Sequence, residues 1–134
     1  LLDAHMERPL ATNQIEFNLL HMEPLTDGTL TQCERLGATP MAWSPLAGGR
    51  IFDPSNPAAP RLAAAAASMA DRYGGATLEQ LAYAWVLAHP SHPVPIVGTS
   101  KVERIRSAAQ ADAITLERED WYELQEAAQG HKIP

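Results

Sequence analysis

PIVGTSKVERI, running from Pro95 to Ile105, decides how the rest of the chain is read. Val94 to Val97 is a short apolar run of the kind that suits a buried parallel strand. It ends in Gly98, passes through the hydroxyl residues Thr99 and Ser100, and enters a helix beginning with Lys101. Ser100 and Glu103 have the spacing of a capping box, which would fix that helix start. A strand that runs straight into a helix is the repeating step of parallel sheets with helices outside.

The residues before it extend the pattern. Thr77 and Gln80 form a second capping box, opening a helix in which Leu78, Leu81, Ala82 and Trp85 make one apolar stripe. His89 to Pro93 breaks that helix ahead of the strand. Arg61 to Tyr73 is alanine-rich and helical by propensity, and Gly74 and Gly75 end it. Ala11 to Phe17 (ATNQIEF) and Thr39 to Trp43 read as two further strands. Between them Thr26 and Asp27 cap a helix through Gly37, with Leu30, Cys33 and Leu36 facing a core. Leu1 to Glu7 reads as the last turns of a helix with Leu1, Leu2 and Met6 on one side, stopped by Pro9. Downstream, Thr115 is the expected cap of a final helix in which Trp121, Leu124 and Ala128 share a face, with Gly130 closing it and the tail HKIP exposed.

Strand, helix, strand, loop, two helices, strand and two helices make an α/β chain. Three strands are too few to close a barrel, and a complete (β/α)₈ barrel takes about 250 residues. The expectation is therefore one unit over residues 1–134 with further strands upstream of it.

Composition narrows the function. A chain of 134 residues at 46% hydrophobic and 19% charged has enough material for one core. Its formal net charge of -6 offers no basic field for a polynucleotide, so any anion must be bound locally. Cys33 is the single cysteine, which rules out an intrachain disulfide and fits a reducing, cytoplasmic setting. The alanine run Ala63 to Ala67 is far short of the ~20 apolar residues of a membrane span, so no membrane partner is expected. His5, His21, His89, His92 and His131 lack metal-ligand spacing, and no metal is assigned.

Two stretches carry chemistry. At the start of the helix after Gly98, backbone N–H groups, Lys101 and Arg104 together suit a phosphate monoester; equally, Ser100 reads as a simple cap and the cations as a solvated face. In MAWSPLAGGR (Met41 to Arg50) an apolar strand ends in Trp43, and a glycine pair lets backbone approach a ligand. Trp43 suits stacking on a flat heterocycle, though large aromatics more often serve packing. Gln14 has an amide for a ligand carboxamide or for a local hydrogen bond. Between Ser44 and Pro60 four prolines and two glycines mark a long loop of the kind that carries function.

Taken together, NQIEF, AWSPLAGGR, LAYAWVLAHPS, PIVGTSKVERI and WYELQEAA, in this order, resemble the aldo-keto reductase superfamily, in particular its bacterial NADP-dependent oxidoreductases. The resemblance covers nearly the whole chain and implies the C-terminal part of a TIM barrel, with MAWSPLAGGR and PIVGTSKVERI at its seventh and eighth strands. It implies NADPH-dependent reduction of an aldehyde or ketone, the cofactor lying across the C-terminal mouth of the barrel.

On that resemblance Gln14 contacts the carboxamide, Trp43 stacks on the nicotinamide, and Ser44, Pro45, Leu46 and Gly48 line the pyrophosphate. Gly98, Thr99, Ser100, Lys101 and Arg104 match the stretch that holds the 2′-phosphate and adenine. Ala108 stands where many relatives carry an adenine-binding asparagine, and Arg50 or Arg61 would clamp the pyrophosphate from the flanking loop. The family's catalytic aspartate, tyrosine, lysine and histidine have no counterpart here; Tyr73, Tyr83 and Tyr122 lie in predicted helices. The resemblance to potassium-channel β-subunits allows an alternative, a nucleotide- or partner-binding barrel without turnover. Open sheet edges also suggest a homo-oligomer or a covering chain.

Overall fold

The computed structural model describes residues 2–133. Three strands, β1 (Thr12–Glu16), β2 (Thr39–Trp43) and β3 (Val94–Pro95), form one sheet in that order, every pair parallel. The crossovers hold three α-helices, α1 (Thr29–Leu36) after β1 and α2 (Ala58–Met69) and α3 (Leu78–Leu87) after β2, and two more, α4 (Val102–Gln110) and α5 (Arg118–Gln129), follow β3. The α/β alternation expected from the sequence is present.

The register sets the two faces of the sheet. Gln14 lies opposite Met41 and Glu16 opposite Trp43, so these four side chains share one face. Thr12, Gln14, Thr39 and Trp43 on that face are exposed. The other face carries Ile15, Pro40 and Ala42, all buried against the helical layer. A parallel sheet ordinarily buries both faces, and only one is covered among the described residues.

The core is built on α3, where six consecutive residues from Leu81 to Val86 are buried. The expected single stripe of Leu78, Leu81, Ala82 and Trp85 is therefore too narrow. A helix packed on several sides loses its polar face, and contacts from β3, α2 and α4 surround this one. Trp85 links the layers: its ring lies 5.0 Å from Phe17 at the end of β1 and 4.9 Å from Trp121 of α5.

Several termini match the sequence reading. The Thr77–Gln80 capping box is formed in both directions, and Gly74 and Gly130 close their helices in left-handed conformations. Others do not. α4 starts at Val102 behind Lys101, and Ser100 makes no capping box; Thr99 Oγ1 instead accepts from the Lys101 N–H at 3.2 Å, which satisfies the chain before the helix begins. α5 is preceded by Glu117 rather than capped by Thr115, because Tyr73 Oη takes the Glu117 N–H at 3.0 Å. At α1 the N-cap position is Gly28, and Asp27 holds the Thr29 N–H from one residue earlier. α2 begins at Ala58, with Pro60 in its first turn where a missing N–H leaves no bond unmade.

The stretch before β1 holds a 3₁₀ turn, Leu2–His5, while Leu1 lies outside the described residues. The expected buried strand Val94–Val97 is a two-residue strand at the sheet edge, with Val94 48% exposed. Pro95 has no N–H for the ladder, so pairing continues only through the Ile96 N–H to the Ala42 carbonyl at 2.8 Å.

Candidate functional site

The chain leaves β2 through a strained turn. Ser44 (φ 51°) and Ala47 (φ 52°) hold left-handed conformations that non-glycine residues rarely adopt, and Gly48 and Gly49 follow at 64° and 89°. Four such residues in six positions reverse the chain at the carboxyl end of the strand, with the Ala47 N–H donating to the Ser44 carbonyl at 2.7 Å. Asn18, wholly buried, secures the turn from the neighbouring strand. Its Nδ2 donates to the Ser44 carbonyl at 3.0 Å, its Oδ1 accepts from the Leu20 N–H at 2.9 Å, and its backbone pairs with His21.

The opposite wall comes from the end of β3. After Ile96 the chain passes Gly98, where an added Cβ would meet no atom within 4 Å, and Thr99 turns it into α4. One turn into α4, Arg104 lays Nε and Nη2 on Glu79 Oε1 of α3 at 3.2 and 2.8 Å. Those hydrogen bonds and the Glu79 charge push the guanidinium further up its range, so it is permanently cationic.

Between the walls lies a cleft of about 420 Å³. Ser44, Pro45, Leu46, Gly48 and Gly49 line one side; Ile96, Gly98, Thr99 and Arg104 line the other, with Tyr83 of α3 between them. Arg104 is its cation, and no carboxylate is among the lining residues. Backbone without side chains at three glycines, a fixed guanidinium and three hydroxyl residues form a donor set matched to phosphate oxygens. The volume lies within the range of small-molecule sites.

Of the fourteen residues singled out from the sequence, seven meet here: Ser44, Pro45, Leu46, Gly48, Gly98, Thr99 and Arg104. Gln14 and Trp43 do not line the cleft; they stand on the bare sheet face, where Trp43 is 42% exposed among the described residues. Ser100 and Lys101 are exposed at the start of α4 without lining the cavity. Ala108 is buried in the core and presents no polar atom to a ligand.

Arg50 lies elsewhere, its Nε on the Ala47 carbonyl at 3.0 Å and its Nη2 3.8 Å from Glu16. It borders a separate cavity of about 650 Å³ together with Arg61. Arg61 is committed to structure, donating to the carbonyls of Pro57, Ala127 and Ala128 at 2.6, 2.7 and 3.0 Å and so tying the end of α5 to α2. A pyrophosphate clamp at Arg61 would have to break all three bonds.

Sequence reasoning missed Asn18 and Tyr83. Asn18 follows an aromatic strand end, where asparagine signals a turn, but nothing local points to a partner 26 residues away. Tyr83 sits in an apolar helical run that conceals which residue faces the cleft.

A three-stranded parallel sheet, helices on its outer face and a cleft at the carboxyl ends of neighbouring strands define part of a (β/α)₈ barrel. The Aldo/keto reductase family model matches residues 2–129, and the chain belongs to that family. It is 41% identical over 136 residues to "Oxidoreductase YdhF" of Escherichia coli K12, covering the whole of this chain and 44% of that protein. Among solved structures it resembles the thermostable aldo-keto reductase Tm1743 in complex with the inhibitor epalrestat (28% identity, TM-score 0.76, 92% of this chain and 42% of that one). It also resembles the Klebsiella pneumoniae aldo-keto reductase in complex with NADPH (27% identity, TM-score 0.70, 92% and 40%). The chain thus spans less than half the length of these relatives.

Proposed function

We propose that the protein carrying this chain is an NADPH-dependent reductase of aldehydes or ketones, and that residues 1–134 supply most of its cofactor-binding face. The observation that carries this reading is the single cleft joining the Ser44–Gly49 turn to Gly98, Thr99 and Arg104. The complex of the Klebsiella pneumoniae relative with NADPH supports the choice of cofactor.

Bound there, a nicotinamide dinucleotide supplies hydride to a carbonyl carbon. The chain's own residues bind and orient. The Ser44–Gly49 turn offers backbone to the pyrophosphate, while Gly98, Thr99 and Arg104 hold the adenosine phosphate, with Ser100 and Lys101 at the rim. Gln14 and Trp43 share one sheet face, which supports giving them the carboxamide and the nicotinamide ring.

The proton for the carbonyl oxygen comes from outside this chain. Tyr73 Oη donates to Asp120, Tyr122 lies on α5 beneath Arg118, and Tyr83 is buried in α3; none projects from the bare sheet face.

Titration with NADPH and with NADH, following tryptophan emission, tests the reading. Trp43 is exposed on the bare sheet face, whereas Trp85 is fully buried and Trp121, stacked on it, is half-buried, a pair that serves as a constant background. Saturable quenching that favours NADPH and disappears in Trp43→Phe is expected; no quenching with either nucleotide overturns the assignment. Consumption of NADPH with an added aldehyde separates a reductase from a barrel that holds nucleotide without turnover.

A further inference from the structure

Tyr83 is 3% exposed, yet it lines the cleft, and its hydroxyl makes no hydrogen bond to any described residue. The hydroxyl is not one of the buried polar atoms left unpaired, so the small open part of the residue is its O–H end, facing the cleft where a ligand would meet it. Packing alone does not call for it: its neighbours Leu81, Ala82, Ala84, Trp85 and Val86 are apolar, and phenylalanine would fill the same space.

Its surroundings define the kind of group that hydroxyl would meet. Glu79, one helical turn earlier on α3, holds Arg104 through two hydrogen bonds, so phenol and guanidinium border the same space. Burial, with the Glu79 charge, pushes the Tyr83 hydroxyl above its ordinary range, against the smaller opposing pull of Arg104. The group is accordingly a proton donor at neutral pH, never a phenolate. A donor beside a fixed cation recognises an anionic oxygen.

We propose that Tyr83 is a specificity residue of this cleft, its hydroxyl donating a hydrogen bond to the 2′-phosphate of the dinucleotide beside Arg104. The assignment rests on the cofactor reading above and adds a discriminating contact to it. A hydroxyl in place of the phosphate, as in NADH, would leave Tyr83 with a weaker, uncharged acceptor.

The test compares dissociation constants for NADPH and NADH in the full-length protein and its Tyr83→Phe variant, with thermal unfolding as the fold control. The expected result is roughly a tenfold loss for NADPH with NADH unchanged, the size of one hydrogen bond to a charged group. Equal losses for both nucleotides, or no loss, overturn the proposal. Wild-type protein that binds neither nucleotide sinks the cofactor reading itself, a separable outcome. A variant-free check is titration with adenosine 2′-phosphate against adenosine: the first should shift the Tyr83 ring resonances and the second leave them in place, and identical responses reject the contact.

Discussion

Trp85 and Trp121 stack with centroids 4.9 Å apart and planes 8° from parallel, and each indole donates to the other's backbone carbonyl. The Trp85 Nε1–Trp121 O distance is 3.2 Å and the reciprocal one 2.9 Å. One pair thus joins α3 to α5 through ring contact and two hydrogen bonds. Trp121→Phe keeps a ring but leaves the Trp85 carbonyl without its side-chain donor, and should cost about 1 kcal/mol. Trp85→Ala removes the ring from both Phe17 and Trp121 and should cost about 3 to 5 kcal/mol. Urea unfolding checks both, and the exciton couplet of the stacked indoles should vanish from the circular dichroism of either variant.

The carboxylate of Asp120 should make stability fall in acid. Burial pushes its pKa up, but hydrogen bonds from Arg72 and Tyr73, with the Arg72 charge, outweigh this and hold it below the usual carboxylate range. A group depressed in the folded state stabilises fully above its unfolded pKa, near 4, and loses that contribution as pH falls through the folded value. Wild type should therefore exceed Asp120→Asn by a constant margin from about pH 6 upward and converge on it below about pH 4. Chemical unfolding across that range measures the margin; a gap that widens in acid would contradict the assignment.

Asn18 should act on the cleft without touching its contents. Asn18→Leu deletes the bonds to the Ser44 carbonyl and the Leu20 N–H inside a fully buried site, with an expected cost of about 2 to 3 kcal/mol. Released from that anchor, the turn loses its fixed geometry, and nucleotide affinity should drop by about tenfold for NADPH and NADH alike. Binding measured well below the variant's melting temperature distinguishes this from simple unfolding.

Much of this architecture is legible in order and composition. The Thr77–Gln80 capping box, the closing glycines and the aromatic strand end at Trp43 are local signals that the structure keeps. The failures arise where another residue competes for the same donor. Thr99 takes the role expected of Ser100, and the Tyr73 hydroxyl reaches across to the Glu117 N–H that was assigned a local cap. Seven site residues converge because MAWSPLAGGR and PIVGTSKVERI leave adjacent strands at the same end. Arg61 illustrates the limit: sequence places a cation beside the loop, and only the fold reveals the three carbonyls that engage it.

The sheet's common strand direction has a bearing on self-association. β1 and β3 pair on one side only among the described residues, and they differ in length and sequence. Continuing the sheet with parallel neighbours therefore joins unlike rims, the β3 rim of one copy meeting the β1 rim of the next. Such head-to-tail contacts are heterologous: they close into a ring when the rotation per copy permits and otherwise grow without end. In a closed (β/α)₈ barrel both rims are joined by further strands, which leaves neither of them open to a second copy.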